Sequence, residues 1–197
     1  MPGAAAIAMW WDIAADIRAE WEDWHAHEHF PERLAIPGFL RGSRWRSAEG
    51  GDGYFVLYEA ESLDVISSGP YLARLNDPTP WSRKMMPHHR NMVRSLCNVT
   101  ASVGAGLGQY MLTVRSASRI ALPQIARGIV AAQLLVADNS KLATQTAEQK
   151  IRGGDGTADQ IMLVTGYDRG AFESPHLELR RQGIAGLYVL SQMLTPA

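Results

Sequence analysis

Short runs rich in apolar, β-branched and aromatic residues recur along the chain, and several of them place an apolar residue at every second position. This pattern is typical of β-strands that bury one face. Eight such runs occur, and each is bounded by glycine, proline or polar turn residues. The predicted strands are residues 4–13, 39–48, 54–59, 92–103, 109–116, 142–151, 160–167 and 186–194.

Longer segments with apolar residues three or four positions apart predict helices between these strands. They are residues 17–35, 63–76, 121–132 and 170–182. The tetrapeptide Gly-Gly-Asp-Gly occurs at 50–53 and again at 153–156, each time as the predicted turn of a hairpin. Each half of the chain therefore reads β-α-β-β-α-β, and the glycine-rich linker 104–108 divides the chain into a first half, 1–104, and a second half, 109–197.

This element order is the ferredoxin-like pattern, in which one antiparallel sheet carries both helices on one face. The other face is apolar and has to be covered. We therefore predict an α+β protein of two tandem, duplicated ferredoxin-like halves whose antiparallel sheets pack as an α/β barrel. The predicted helix 121–132 has no histidine, tryptophan or carboxylate, so we expect the second half to be mainly structural and the first half to carry the site.

Composition excludes several classes of function. The 197 residues are 46% hydrophobic and 20% charged, with a formal net charge of −1, which argues against nucleic acid as a partner. Cys97 is the only cysteine, so an intrachain disulfide is impossible and a cytoplasmic location is expected. No segment reaches the roughly 18 apolar residues that cross a bilayer, so we expect no membrane insertion.

Residues 21–46 contain three histidines, three tryptophans and four arginines. On a helix, five of the side chains share one face because they lie three, four, seven and eight positions apart. These are Trp21, Trp24, His25, Glu28 and His29. The face is aromatic and titratable, so we predict that it lines the site, with Trp21, Trp24 and His25 contacting substrate.

His29 is the predicted catalytic acid or base, with Glu28 as its neighbouring carboxylate, because an imidazole titrates near neutrality and a carboxylate tunes it. Chelation of a metal by His25 and His29 is the alternative. The zincin spacing His-Glu-x-x-His is absent, however, since Pro31 stands where its second histidine would be. We therefore predict no metal site and no cofactor.

Pro31 has two possible effects on this helix. It removes the hydrogen bond to the carbonyl of His27, which would kink the helix beside His29. Alternatively, it begins a second short helix, since proline suits the first helical turn.

Two further groups of residues are candidates for the site. Arg44 and Arg46 share one face of a predicted strand, and as a pair they would bind a carboxylate or phenolate substrate if that face is buried. If it faces solvent, they are surface charges. The connection 80–90 contains Trp81, His88 and His89, and we predict a loop whose Trp81 covers the substrate. A second titratable group is expected there, with His88 as the choice and His89 as the alternative.

The segment from Trp24 to Phe39, with its core Glu-His-x-Pro-Glu-Arg-Leu-Ala-x-Pro-Gly-Phe at 28–39 and the following Arg44-Trp45, resembles the first helix and second strand of EthD-like proteins. These belong to the dimeric α/β-barrel superfamily. The resemblance implies a ferredoxin-like barrel, a homodimer, and a site between helices and sheet or within the barrel. It does not imply one reaction, because the superfamily includes cofactor-free monooxygenases, isomerases, cyclases and haem enzymes.

We therefore expect a cofactor-independent enzyme of the isomerase, lyase, cyclase or monooxygenase type, in which His29 moves a proton on a small aromatic or lactone-like acid. The alternative is a ligand-binding or oligomerisation protein of the same fold without enzymatic activity, in which the histidines are surface or capping residues. A haem- or metal-binding protein is a third possibility. Burial of His29 together with an arginine or a second histidine favours the enzyme.

Overall fold

The computed structural model describes residues 3–138, 140, 145–173 and 177–196, with side chains at all of these except 177 and 178. Its eight strands are β1 Ala5–Asp12, β2 Phe39–Ser47, β3 Gly53–Ala60, β4 Arg90–Gly104, β5 Tyr110–Ser116, β6 Ile129–Ala137, β7 Gln160–Gly166 and β8 Ile184–Leu194. The helices are α1 Arg18–Trp24, α2 Phe30–Leu34, α3 Gly69–Asn76, α4 Pro80–Met85, α5 Ala147–Ile151 and α6 Leu177–Arg180.

All eight strands pair antiparallel and close into one barrel, in the order β1-β3-β2-β8-β5-β7-β6-β4. The predicted α+β barrel is thus confirmed. Strands β4-β1-β3-β2 come from the first half of the chain and β8-β5-β7-β6 from the second, so both halves contribute their strands in the same relative order. The halves join where β2 pairs with β8 and where β4 pairs with β6. Closure leaves no free sheet edge.

Strand β1 divides its side chains between two compartments, because neighbouring residues of a strand point to opposite faces. Ala6, Ala8 and Trp10 lie in a cluster formed by residues of all eight strands, which is the barrel interior. Met9 and Trp11 lie in a second cluster with residues of α1, α2, α3 and α4. A third cluster covers the outside of the second-half strands.

Two predicted elements of the second half were wrong. Residues 121–128 form no helix, and strand β6 begins at Ile129 inside the predicted helical segment. The predicted strand at 142–151 overlaps α5, while residues 141–144 lie outside the described part of the chain. Helix α5 begins with a capping box, in which the side chain of Thr146 accepts from the backbone of Gln149 and that of Gln149 bonds back.

The predicted helix 17–35 is present, and Pro31 changes its hydrogen bonding. Between α1 and α2, residues His25–His29 form a π-helical turn in which the backbone N–H of Phe30 donates to the carbonyl of His25. Pro31 then lies in the first turn of α2. Proline lacks the N–H that would continue a regular α-helix, and the wider turn that results precedes a restarted helix.

Candidate functional site

Three histidines lie buried between the helices and the outer face of the first-half strands. His25, His29 and His89 expose only 1%, 9% and 8% of their surface. The ring centroids of His25 and His29 are 5.5 Å apart. Four indole and phenyl rings surround them, namely Trp11 4.9 Å from His89, Trp21 5.0 Å from His25, Trp24 4.7 Å from His29 and Phe30 4.3 Å from His25. The predicted aromatic, titratable face is therefore in the interior.

Both ring nitrogens of His89 have hydrogen-bond partners. The indole N–H of Trp21 lies 3.3 Å from Nε2 of His89, and Nδ1 of His89 lies 3.0 Å from the carbonyl oxygen of Met86. An indole only donates and a carbonyl only accepts, so His89 carries its proton on Nδ1 and is neutral. Burial lowers its pKa to about 3, with the nearby Arg152 adding to the effect.

His25 and His29 differ from His89 because their Nδ1 atoms are buried without a hydrogen-bond partner in the described part of the protein. Burial holds the pKa of both imidazoles well below the ordinary value, and positive neighbours lower it further: Arg44 for His25, and Arg33 for His29. Both rings are therefore neutral at pH 7 and have the lone pair that a proton acceptor needs.

Three more polar atoms in the same compartment are buried and unpartnered among the described residues. They are Nε1 of Trp11, the hydroxyl of Tyr58 and Nη1 of Arg33. Tyr58 contacts Phe30, with ring centroids 5.3 Å apart, and burial raises the pKa of its hydroxyl well above the ordinary value. Most buried polar atoms in proteins are hydrogen-bonded, so a concentration of exceptions beside His29 marks a place where a polar ligand would find partners.

Buried charges around the histidines are unequal in number. Arg33 forms an ion pair with Glu148, whose second oxygen lies 3.7 Å from Arg152, and Arg152 also pairs with Asp155 at 2.9 Å. Arg94 donates to the hydroxyl of Tyr71 at 3.0 Å. These buried groups comprise three guanidiniums and two carboxylates, so the compartment has an excess of positive charge. Glu148, Arg152 and Asp155 belong to the second half of the chain, which therefore contributes to the surroundings of the histidines.

Of the two cofacial arginines, Arg44 is buried and Arg46 is exposed. The pairing with β8 shifts register after Arg44, where β8 carries the extra residue Ser191, while β2 stays in register with β3 through Arg46. The guanidinium of Arg44 lies 5.7 Å from the ring of Trp21 and donates to the carbonyl of Glu22 at 3.0 Å. Arg44 thus borders the histidine compartment, whereas Arg46 does not.

Glu28 makes contacts that hold helix α4 in place. One oxygen, Oε1, accepts from the indole of Trp24 at 3.0 Å and from the hydroxyls of Thr79 and Ser82 at 2.5 and 3.2 Å. Thr79 is the N-cap of α4. This carboxylate connects the π-helical turn to the start of α4, and no hydrogen bond joins it to His29.

The segment predicted as a covering loop, 80–90, is helix α4 followed by a short 3-10 turn, Met86–His88. Trp81 is half-buried and packs against the helix-side cluster. The turn places His89 in the interior and leaves His88 exposed, so the histidine that joins His25 and His29 is the neighbour of the one predicted. His27 is also exposed, with Nδ1 3.0 Å from the carbonyl of Asp23.

Sequence reasoning missed five buried polar residues of the compartment: Tyr58, Arg94, Glu148, Arg152 and Asp155. Tyr58 has a sequence signal, since Tyr54, Val56 and Tyr58 share a strand face. The other four come together only through long-range packing.

The described residues contain no group of three or more histidine, cysteine, aspartate or glutamate side chains that could hold a metal ion. They also contain no helix long and apolar enough to cross a membrane.

No protein-family model and no curated protein matches this chain. Solved structures do resemble it. An anthrone oxidase-like protein superimposes with a TM-score of 0.62 at 10% identity, covering 98% of this chain and 93% of its own. A candidate monooxygenase from Fusobacterium nucleatum gives 0.55 at 7% identity, with 99% and 96% covered, and another from Lactobacillus acidophilus gives 0.51 at 8%, with 98% and 97% covered. The protein therefore shares the whole barrel fold of these neighbours.

Proposed function

We propose that the protein is a cofactor-free enzyme of the monooxygenase type, in which His29 removes a proton from a small aromatic acid. The observation that carries this proposal is the burial of a neutral, unpartnered imidazole beside an excess of guanidinium groups. The names of the structural neighbours are compatible with such a reaction.

Charge explains why His29 would act as a base although its conjugate acid is disfavoured. Protonating the ring alone would place an imidazolium beside Arg33, which lowers the pKa. A substrate that gives up its proton leaves a carbanion, enolate or phenolate in the same compartment. The new negative charge offsets both the imidazolium and the arginines. Proton transfer from a bound substrate is therefore much more favourable than protonation from water.

The reaction we propose uses molecular oxygen as co-reactant. His29 takes one proton from an activated CH₂ group next to an aromatic ring, and the resulting carbanion reduces oxygen. One oxygen atom becomes a new carbonyl on that carbon, and the other leaves as water with the two hydrogens. The substrate supplies all four electrons, so no external reductant enters the balance. Arg33 and Tyr58 would contact the developing oxyanion, and Trp21, Trp24 and His25 would line the ring.

We further propose that the chain is an EthD-like member of the dimeric α/β-barrel superfamily and arose by duplication of one ferredoxin-like half. The support is the motif at 28–39 together with the same strand order in both halves of the barrel. A duplicated chain encloses within itself the barrel that a homodimer builds from two copies.

Replacing His29 by alanine tests the proposal. Small aromatic acids, phenols with an activated CH₂ group and lactones are screened for turnover and for oxygen uptake by the wild type. We expect the His29→Ala variant to lose roughly 10²–10⁴-fold in rate, because general base catalysis typically contributes that much. His27→Ala is the matched control, since His27 lies two residues away and is exposed. Equal rates for wild type and His29→Ala would refute the role of His29.

A further inference from the structure

A cavity lies at one end of the barrel, on the opposite side of the sheet from the histidines. Its volume is about 520 Å³, and its lining comes from β4, from the end of β5 and from the segments leading into β7 and β8. Volumes of this size are typical of sites for small molecules. Nothing in the proposed reaction at His29 uses this cavity.

Arg115 gives the cavity a fixed positive charge. Its guanidinium lies over the indole of Trp10, 4.8 Å from the ring centroid, and its Nε atom is buried without a partner in the described part of the chain. The same part of the protein holds no carboxylate within ion-pair distance of Arg115. A guanidinium lying over a ring keeps its N–H groups directed outward in its own plane, which is the arrangement that binds a carboxylate through two parallel hydrogen bonds.

The remaining lining combines apolar and hydroxyl groups. Val93, Ala158 and Ile184 provide apolar surface, and Ile184 exposes 66% of its own. Ser116 and Thr157 are also among the lining residues. Asp159 is the acidic residue of the lining and is exposed to solvent. One guanidinium and one carboxylate at the rim suit a ligand with a single negative charge better than a ligand with two.

We propose that this barrel-end cavity binds a small monocarboxylate with a flat apolar body, its carboxylate paired with Arg115 and its body against Val93, Ala158 and Ile184. The site is distinct from the histidine compartment, because the strands of the barrel separate them. Trp10 lies on the barrel side and its neighbour Trp11 on the histidine side. A ligand at Arg115 therefore lies on the Trp10 side of strand β1 and does not contact His29.

Calorimetric titration with 2-naphthoate tests the site, with the uncharged 2-naphthamide as the matched ligand. We expect naphthoate to bind with a Kd in the micromolar range, and naphthamide and the Arg115→Gln variant each to weaken binding by about tenfold or more. Arg119→Gln removes the same charge from a nearby exposed arginine outside the cavity and should leave the Kd unchanged. Ala117→Leu, which fills space in the cavity but keeps Arg115, should also weaken binding.

The indole N–H of Trp10 donates to the hydroxyl of Thr113 at 3.1 Å and offers a local signal in NMR spectra, assigned with Trp10→Phe. We expect naphthoate to shift this resonance in both wild type and His29→Ala. Three results would each overturn the proposal: no binding at millimolar naphthoate, equal affinity in Arg115→Gln, or loss of binding in His29→Ala. The last result would place the ligand among the histidines, and failure of the His29 turnover experiment alone leaves the barrel-end site intact.

Discussion

Acidification from pH 7.5 to pH 5 is expected to lower the free energy of unfolding by at least about 2 kcal/mol, because the three buried histidines stay neutral in the folded protein. Burial lowers the pKa of His25, His29 and His89, whereas in the unfolded chain each titrates near 6.5. Between these values the unfolded state binds more protons, so stability is complete above about pH 6.5 and falls as the pH falls. His89, with a pKa of about 3, contributes about 2 kcal/mol of the loss at pH 5, and His25 and His29 add to the loss in the same direction.

Urea unfolding at pH 5, 6 and 7.5 measures this dependence. His89→Gln removes one titrating group while its amide oxygen still accepts from Trp21, so the loss between pH 7.5 and pH 5 should shrink by about 2 kcal/mol. The matched control is His88→Gln, because His88 is exposed and adjacent. Burial also raises the pKa of Glu59 and Glu148. These two carboxyl groups therefore add to the free energy of unfolding as the pH falls, and they offset part of the loss equally in the wild type and in both histidine variants. An equal pH dependence in wild type and His89→Gln would contradict the prediction.

Replacing Glu148 by glutamine is expected to destabilise the protein by roughly 3–5 kcal/mol, since removing one partner of a buried ion pair leaves the other charge uncompensated. Glu148 exposes 2% of its surface and lies between Arg33 and Arg152. Glutamine has nearly the same volume, so lost packing contributes little. After the substitution, Asp155 is the one carboxylate left among the guanidiniums of Arg33, Arg94 and Arg152.

Glu173→Gln provides the comparison, because Glu173 pairs with Arg169 at 3.5 Å with both side chains more than half exposed. We expect this control to change the free energy of unfolding by no more than about 0.5 kcal/mol. Urea unfolding at pH 7.5 measures both variants. A Glu148→Gln variant as stable as its control would mean that Glu148 is protonated in the folded protein, and the positive excess around His29 would then be larger still.

The barrel strands of the first half were predictable because each buries one face against helices and the other in the barrel interior, with strong turn signals between them. Strand β6 was not. It pairs with β4 on one side and β7 on the other, and its sequence Ile-Val-Ala-Ala-Gln-Leu-Leu-Val-Ala is apolar except for Gln133, so the period that distinguishes a strand from a buried helix is missing. Sheet pairing overrides the helical preference of its alanines.

The part of the candidate site that lies on a single helical segment was predictable. His25, His29, Trp21 and Trp24 follow from helical spacing, which the π-helical turn preserves. His89 was only the alternative to His88, because the sequence did not reveal the 3-10 turn that buries His89 and leaves His88 exposed. Glu148 and Arg152 lie more than a hundred residues from Arg33 along the chain, and no local pattern links them. The capping box at Thr146 and Gln149 indicates where α5 begins, but it does not indicate that α5 packs beside Arg33.

The adjacent indoles of Trp10 and Trp11 have a consequence for how the protein could change over evolutionary time. Because neighbouring residues of β1 face opposite sides, a substitution at an even-numbered position alters the barrel interior and one at an odd-numbered position alters the histidine side. Selection can therefore adjust either side through point changes in the same short segment. A single-residue insertion or deletion within β1 would exchange the two sets of side chains and disrupt both surfaces together.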